Sequence, residues 1–151
     1  MKLNVVELKK LPGVERAQLI AAQAHEGQKR QFGKKEAYIN HPRRVAEAQI
    51  SNLQKEVAWL HDVIEDADIT AEDLLYYGVD PMVVTAVVAM SRKEDENYFD
   101  YMLRAAACPI ARPVKAADLR DNMTDLHEGS MKDKYRLAYF VLTGHKPPER
   151  G

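Results

Sequence analysis

Apolar residues recur at helical intervals along almost the whole chain, and turn residues punctuate them. After Leu11-Pro12-Gly13, the stripe Ala17, Leu19, Ile20, Ala21 and Ala24 predicts a helix over 14–27 that stops at Gly27. His41-Pro42 opens a second, where a proline in the first turn loses no hydrogen bond, with Val45, Ala46, Ala48 and Ile50 following. Ser51 or Asn52 caps the next, which carries Val57, Ala58, Leu60, Val63 and Ile64 and ends near Asp66. Thr70 and Asp73 form a Thr-x-x-Asp capping signal before Leu74, Leu75 and Tyr76, and Gly78 stops that short helix. Asp80-Pro81 starts a run through Val83, Val84, Val87 and Met90 whose β-branched residues also suit a strand, but whose length and start favour a helix.

Beyond a charged connector at 91–97, Tyr98, Tyr101, Met102, Ala105 and Ala106 give another helical stripe. Pro109 and Pro113 are read as bracketing a turn. Val114, Ala116, Ala117, Leu119, Met123 and Leu126 then form one helical face, and Tyr135 to Leu142 a last helix stopped by Gly144, with a frayed tail at Lys146-Pro147-Pro148. Between the first two helices, Gln28 to Asn40 is polar, contains Gly33, and carries the basic cluster Lys29, Arg30, Lys34 and Lys35, so it reads as a loop. Without a convincing strand, repeat or low-complexity tract, the expectation is an all-α single domain over 1–151, a helical bundle of seven or so helices.

The totals narrow the function classes. A chain of 151 residues is long enough to bury a core. Lys+Arg 22 against Asp+Glu 23 lacks the broad positive footprint of a nucleic-acid binder. The single Cys108 permits no internal disulfide and is read as a packed small residue rather than a nucleophile. No apolar run approaches the roughly 20 residues that span a bilayer, and the start lacks a signal-peptide core. These points lead to the expectation of a cytoplasmic protein with a small-molecule partner and no nucleic-acid or membrane partner.

One stretch changes the picture. In Trp59-Leu60-His61-Asp62-Val63-Ile64-Glu65-Asp66, helical spacing stacks His61 over Glu65 and Asp62 over Asp66 along an otherwise apolar segment. Burying carboxylates costs several kcal/mol unless charge or hydrogen bonds compensate. Asp118 and Asn122 form a second such pair, and His41 stands at a helix start. Two imidazoles with two carboxylates suit Mn²⁺, Fe²⁺ or Zn²⁺ and lack the thiolates of a structural zinc site. On spacing alone, a metal site and a plain hydrogen bond from His61 to a neighbouring helix are equally good readings.

His41, His61-Asp62 and Asp118 resemble the H…HD…D signature of the HD superfamily of metal-dependent phosphohydrolases. Within it, Gln23-Ala24-His25-Glu26-Gly27-Gln28-Lys29-Arg30, Tyr38-Ile39-Asn40-His41-Pro42, Leu60 to Asp66, and Val114-Lys115-Ala116-Ala117-Asp118 with Asn122-Met123 are similar, in family order, to the hydrolase domain of RelA/SpoT proteins. The small stand-alone hydrolases of that family are the nearest analogue. The resemblance implies a helical HD domain that removes the 3′-pyrophosphate of (p)ppGpp with Mn²⁺ as the usual metal. It implies His41, His61, Asp62 and Asp118 as metal ligands, Glu65 and Asp66 as the groups that orient and activate water, Arg30 against the nucleotide, Asn122 near the ribose, and Lys29 and Lys115 near the phosphates.

Other polar residues have simpler readings. His25 helps fix the basic loop, His127 and His145 sit at polar helix ends, Glu72-Asp73 serve capping, and Tyr98 and Tyr101 are core or pocket wall. Around the last aspartate the family often reads Ala-Asp-Arg-Leu-His-Asn-Met where this chain has Ala117-Asp118-Leu119-Arg120-Asp121-Asn122-Met123. Asp121 and Asp125 add negative charge there. The alternatives are therefore an HD phosphohydrolase for another nucleotide or phosphate ester, and a non-catalytic nucleotide-binding sensor.

Overall fold

A computed structural model describes residues 3–31 and 35–148, so Gly33 and Lys34 of the basic loop lie outside the described residues. The described residues form helices α1 (Val5–Lys10), α2 (Gly13–Ala24), α3 (Asn40–Glu47), α4 (Asn52–Leu60), α5 (Val63–Asp66), α6 (Ala71–Tyr76), α7 (Pro81–Ala89), α8 (Tyr98–Ala107), α9 (Ala111–Thr124) and α10 (Ser130–Thr143). Beyond them lies an isolated antiparallel bridge between Lys29 and Ala37, inside the basic loop. The all-α expectation holds, with more and shorter helices than the periodicity predicts.

Capping explains the boundaries. Ser51 is the N-cap of α4: its side chain accepts from the Gln54 N–H while Gln54 reaches back to the Ser51 N–H. Thr70 and Asp73 make the same reciprocal pair at α6. Asp80 caps α7 at the Met82 N–H with Pro81 in the first turn, and the ambiguous valine-rich run is helical because Val83, Val84 and Val87 all bury against the core.

Three sequence expectations are corrected. Helix α9 begins at Ala111, so Pro113 lies inside its first turn, where its missing N–H costs nothing, and does not close a turn. Helix α3 ends at Glu47, leaving Ile50 almost fully exposed. The supposed continuous acidic helix to Asp66 is broken after Leu60: His61 Nδ1 lies 2.6 Å from the Ala58 carbonyl in the last turn of α4, and Asp62 takes φ −103°, ψ −2° before α5 starts. The imidazole caps the helix end, so His61 and Asp62 sit at a corner and the wheel-based stacking is only approximate.

Helix α4 is the centre. It packs against α2, α3, α7 and α9, and its Val57, Ala58 and Leu60 are fully buried among Ile20, Val45, Val83 and Val114. A second apolar cluster joins α8, α9 and α10 through Tyr101, Met102, Leu119, Ala138 and Leu142. Helix α9 takes part in both, and the polar residues it shares with α3 and α4 lie where the clusters meet.

Candidate metal centre and cleft

Helix α3 delivers His41, the α4–α5 corner His61 and Asp62, and the middle of α9 Asp118. One ligand atom from each lies within 4.8 Å of all the others. His41 Nε2 is 2.8 Å from Asp118 Oδ1 and 3.2 Å from His61 Nε2, and His61 Nε2 is 3.0 Å from Asp62 Oδ2. Both histidines are essentially inaccessible to solvent.

The outer nitrogens fix which atoms face inward. His41 Nδ1 lies 2.7 Å from Asp121 Oδ2, and His61 Nδ1 meets the Ala58 carbonyl, both acceptors. Each ring therefore carries its proton on Nδ1 when neutral, leaving two Nε2 lone pairs and two carboxylates pointing at one another. Four electron-pair donors converge in a buried space, an arrangement that demands positive charge. The titration behaviour agrees: burial opposes protonation of His61, but Asp62 and Asp118 outweigh it and hold its pKa well above the ordinary imidazole range. His41 is shifted the same way by Asp118 and Asp121 against burial. The donor set fits a divalent metal ion.

Further contacts hold these four side chains in place. Asp118 Oδ2 accepts from Lys115 Nζ at 2.7 Å, while Oδ1 stays toward the histidines and accepts from Asn122 Nδ2 at 3.2 Å. The Tyr38 hydroxyl donates to Asp62 Oδ2. Asp121 receives both Arg44 Nε, at 2.7 Å on Oδ1, and His41, and Arg44 goes on to Glu36 at 2.6 Å. Sequence reasoning gave no role to Tyr38, Arg44 or Asp121. For Asp121 the sequence showed only an added negative charge beside Asp118.

A cleft of about 550 Å³ opens beside the centre, lined by Gln28, Lys29, Arg30, Tyr38, Asp66 and Asn122 on the polar side and Leu126, Met131 and Tyr135 on the apolar side. Four of the predicted residues thus meet here: Lys29, Arg30, Asp66 and Asn122. Lys115 does not, because its ammonium is spent on Asp118 in a buried pair beneath the Tyr101 ring. Arg30 is buried and donates to Asn122 Oδ1 at 3.1 Å and Asp125 Oδ2 at 3.0 Å. Glu65 accepts from the Arg92 backbone N–H. Solvent reaches Glu65 and Asp66, yet the surrounding protein and then the Asp62 charge raise both carboxyl pKa values.

His25 behaves as expected of a loop anchor: its Nδ1 is 2.9 Å from Gln28 Oε1 and its ring packs on Tyr38, whose backbone N–H bonds the Gln28 carbonyl. Tyr101 is core, its hydroxyl donating to the Met90 carbonyl.

Fold and centre together give an all-helical domain in which a histidine–aspartate corner is completed by one histidine and one aspartate from flanking helices, the order of the H…HD…D signature. Comparison with known proteins places it more narrowly. The chain is 30% identical, over 91% of its length, to a guanosine-3′,5′-bis(diphosphate) 3′-pyrophosphohydrolase of Vibrio cholerae, and 42% identical, over 89%, to the bifunctional (p)ppGpp synthase/hydrolase SpoT of Escherichia coli. It spans only 21% of the length of each of these curated relatives. A solved structure, described as a metazoan ortholog of SpoT that hydrolyzes ppGpp, superposes with a TM-score of 0.72 over 90% of this chain and 88% of that one, at 22% identity. No family model matches the chain. In fold the chain is similar to that SpoT ortholog, and in sequence it is similar to part of the named 3′-pyrophosphohydrolases and SpoT.

Proposed function

We propose that the chain, read as one hydrolase unit, is a metal-dependent phosphohydrolase that removes the 3′-pyrophosphate of guanosine tetra- or pentaphosphate-like nucleotides. The observation that carries this reading is the convergence of His41, His61, Asp62 and Asp118 from three segments, with Asp66, Lys29, Arg30 and Asn122 lining one adjoining cleft. The similarity to named 3′-pyrophosphohydrolases supports the substrate class.

In this reading the two histidines and two aspartates hold a divalent ion, Mn²⁺ by analogy. When bound, the ion supplies charge neutralisation at the phosphoryl oxygens and lowers the pKa of water. The protein does the rest. Glu65 and Asp66 orient the attacking water and take its proton, for which carboxyl pKa values raised by burial are suited. Lys29 faces the phosphates, and Leu126, Met131 and Tyr135 give the base an apolar surface. Attack of the water oxygen on phosphorus breaks the bond to the ribose 3′-oxygen, which takes up a proton to become the 3′-hydroxyl, and releases pyrophosphate.

One observation favours a second reading, the same chemistry on another nucleotide. Arg30, the expected partner of the base, is held by Asn122 and Asp125. A panel of ppGpp, ppApp, deoxynucleotides and NADPH with Mn²⁺ separates the two. Pyrophosphate released from ppGpp in clear preference to the others supports the first; comparable turnover of ppApp, or phosphate released from the other esters at comparable rates, replaces it with the second. The non-catalytic sensor is tested by Glu65→Ala with Asp66→Ala, which is expected to lower turnover by at least 10²-fold while metal binding stays within a fewfold. Unchanged turnover in that variant contradicts the assigned roles.

A further inference from the structure

Behind α9, on the side away from the substrate cleft, lies a second concavity of about 650 Å³. Helix α9 turns Ala117, Arg120, Asp121 and Thr124 toward it, a stripe at i, i+3, i+4 and i+7 distinct from the stripe that carries Asp118 and Asn122. Helix α10 contributes Lys132 and Arg136, helix α3 Arg44, and the C-terminal segment Lys146 and Pro147. Five basic side chains line it against two acidic ones, Asp121 and Glu128, in a chain whose net charge is −1.

The excess is unevenly neutralised. Arg44 is satisfied by Asp121 and Glu36, and Arg136 by Glu128 and Asp133. Lys132 has only a 3.5 Å contact to the exposed Glu128. Arg120 is exposed and makes no hydrogen bond or ion pair among the described residues, although it stands on the same helix as Asp118. A concave wall that carries an unpaired guanidinium beside a weakly paired ammonium suits an anion with several charges. The volume lies within the range for nucleotide-sized ligands, and Met123 and Pro147 provide apolar surface beside the charges.

We infer that this cleft is a second binding site, separate from the metal centre, for a small molecule bearing a chain of phosphates, with Arg120 and Lys132 as its principal contacts. The position gives such a ligand access to the metal centre through one intermediary. Asp121 lines the rear cleft, bonds Arg44 there and bonds His41 within the core. The inference stands on cavity, charge and pairing, and does not depend on the reaction assigned above.

The test is calorimetric titration of the full chain with inorganic pyrophosphate and with GDP, in the presence of chelator so that the metal centre makes no contribution. Arg120→Ala with Lys132→Ala is expected to weaken pyrophosphate binding at least tenfold, and Lys10→Ala, at an exposed lysine of α1 outside both clefts, to leave it within twofold. Tighter binding of GDP than of pyrophosphate assigns a nucleotide; the converse assigns a free polyphosphate. Arg120→Glu alone, at a side chain with no partner to lose, must act in the same direction, and its circular dichroism must match that of the unmodified chain. Pyrophosphate binding no weaker in Arg120→Ala with Lys132→Ala than in Lys10→Ala, or no pyrophosphate or GDP binding at millimolar concentration, overturns the inference.

Discussion

Asp121 is the residue whose substitution tests the architecture of the centre most sharply. Its carboxylate lies between the His41 imidazole and the Arg44 guanidinium, and these two hold its pKa below the usual carboxylate range against the effect of burial. Removing it frees His41 to rotate and leaves Arg44 half paired. Asp121→Ala is expected to cost roughly 10–100-fold in divalent-metal affinity, as loss of an outer carboxylate on a ligating histidine generally does, measured by metal titration. Away from the centre, Glu56 is buried with its carboxylate against Gly13 in the first turn of α2. Burial raises its pKa above 4.5, opposed by Arg16. A raised carboxyl pKa means that the folded state holds the proton longer, so stability falls as pH rises from the unfolded value through the folded one. Glu56→Gln is therefore expected to raise Tm at neutral pH, with the gain vanishing below about pH 4 where both states are protonated. That His41, His61, Asp62 and Asp118 belong together was legible only through the resemblance to the H…HD…D signature, since their spacing left a metal site and a plain hydrogen bond equally good readings. The roles of Tyr38, Arg44 and Asp121 were not legible, because their contacts with Asp62, Glu36 and His41 cross between segments that only the fold brings together.

The helices divide in the same way. Those closed by short-range chemistry were predictable: Ser51 with Gln54, Thr70 with Asp73, Asp80 with Pro81. Ser51→Ala is expected to destabilise the chain by about 1 kcal/mol, read as a shift in the urea midpoint at constant m. Leu60→Ala, at the buried end of α4, is expected to cost about 2–5 kcal/mol and to disturb metal binding as well, since the next residue is His61. The break between α4 and α5 escaped the periodicity because a side chain makes it. His61 uses the Ala58 carbonyl, and the pattern Leu60, Val63, Ile64 reads equally well through the corner. Helix α1 was also missed, being six residues long with only Leu8 buried.

At the scale of the whole molecule, two apolar clusters meet along α9, and the polar centre is the junction between them. A cation bound there ties α3, the α4–α5 corner and α9 together only in the folded state. Mn²⁺ at a hundredfold excess over its dissociation constant is thus expected to add about 2.7 kcal/mol of stability, seen as a Tm that rises with metal and falls with chelator. The proposed function requires this junction to be a catalytic metal site and not a set of structural hydrogen bonds. It is tested most directly by chelating the protein, restoring Mn²⁺ stepwise, and following pyrophosphate release from guanosine 3′,5′-bis(diphosphate). Expected are no turnover without metal, recovery that saturates near one ion per chain, and no recovery in His61→Ala. Undiminished turnover in the chelated protein, or in His61→Ala, would contradict the proposed function.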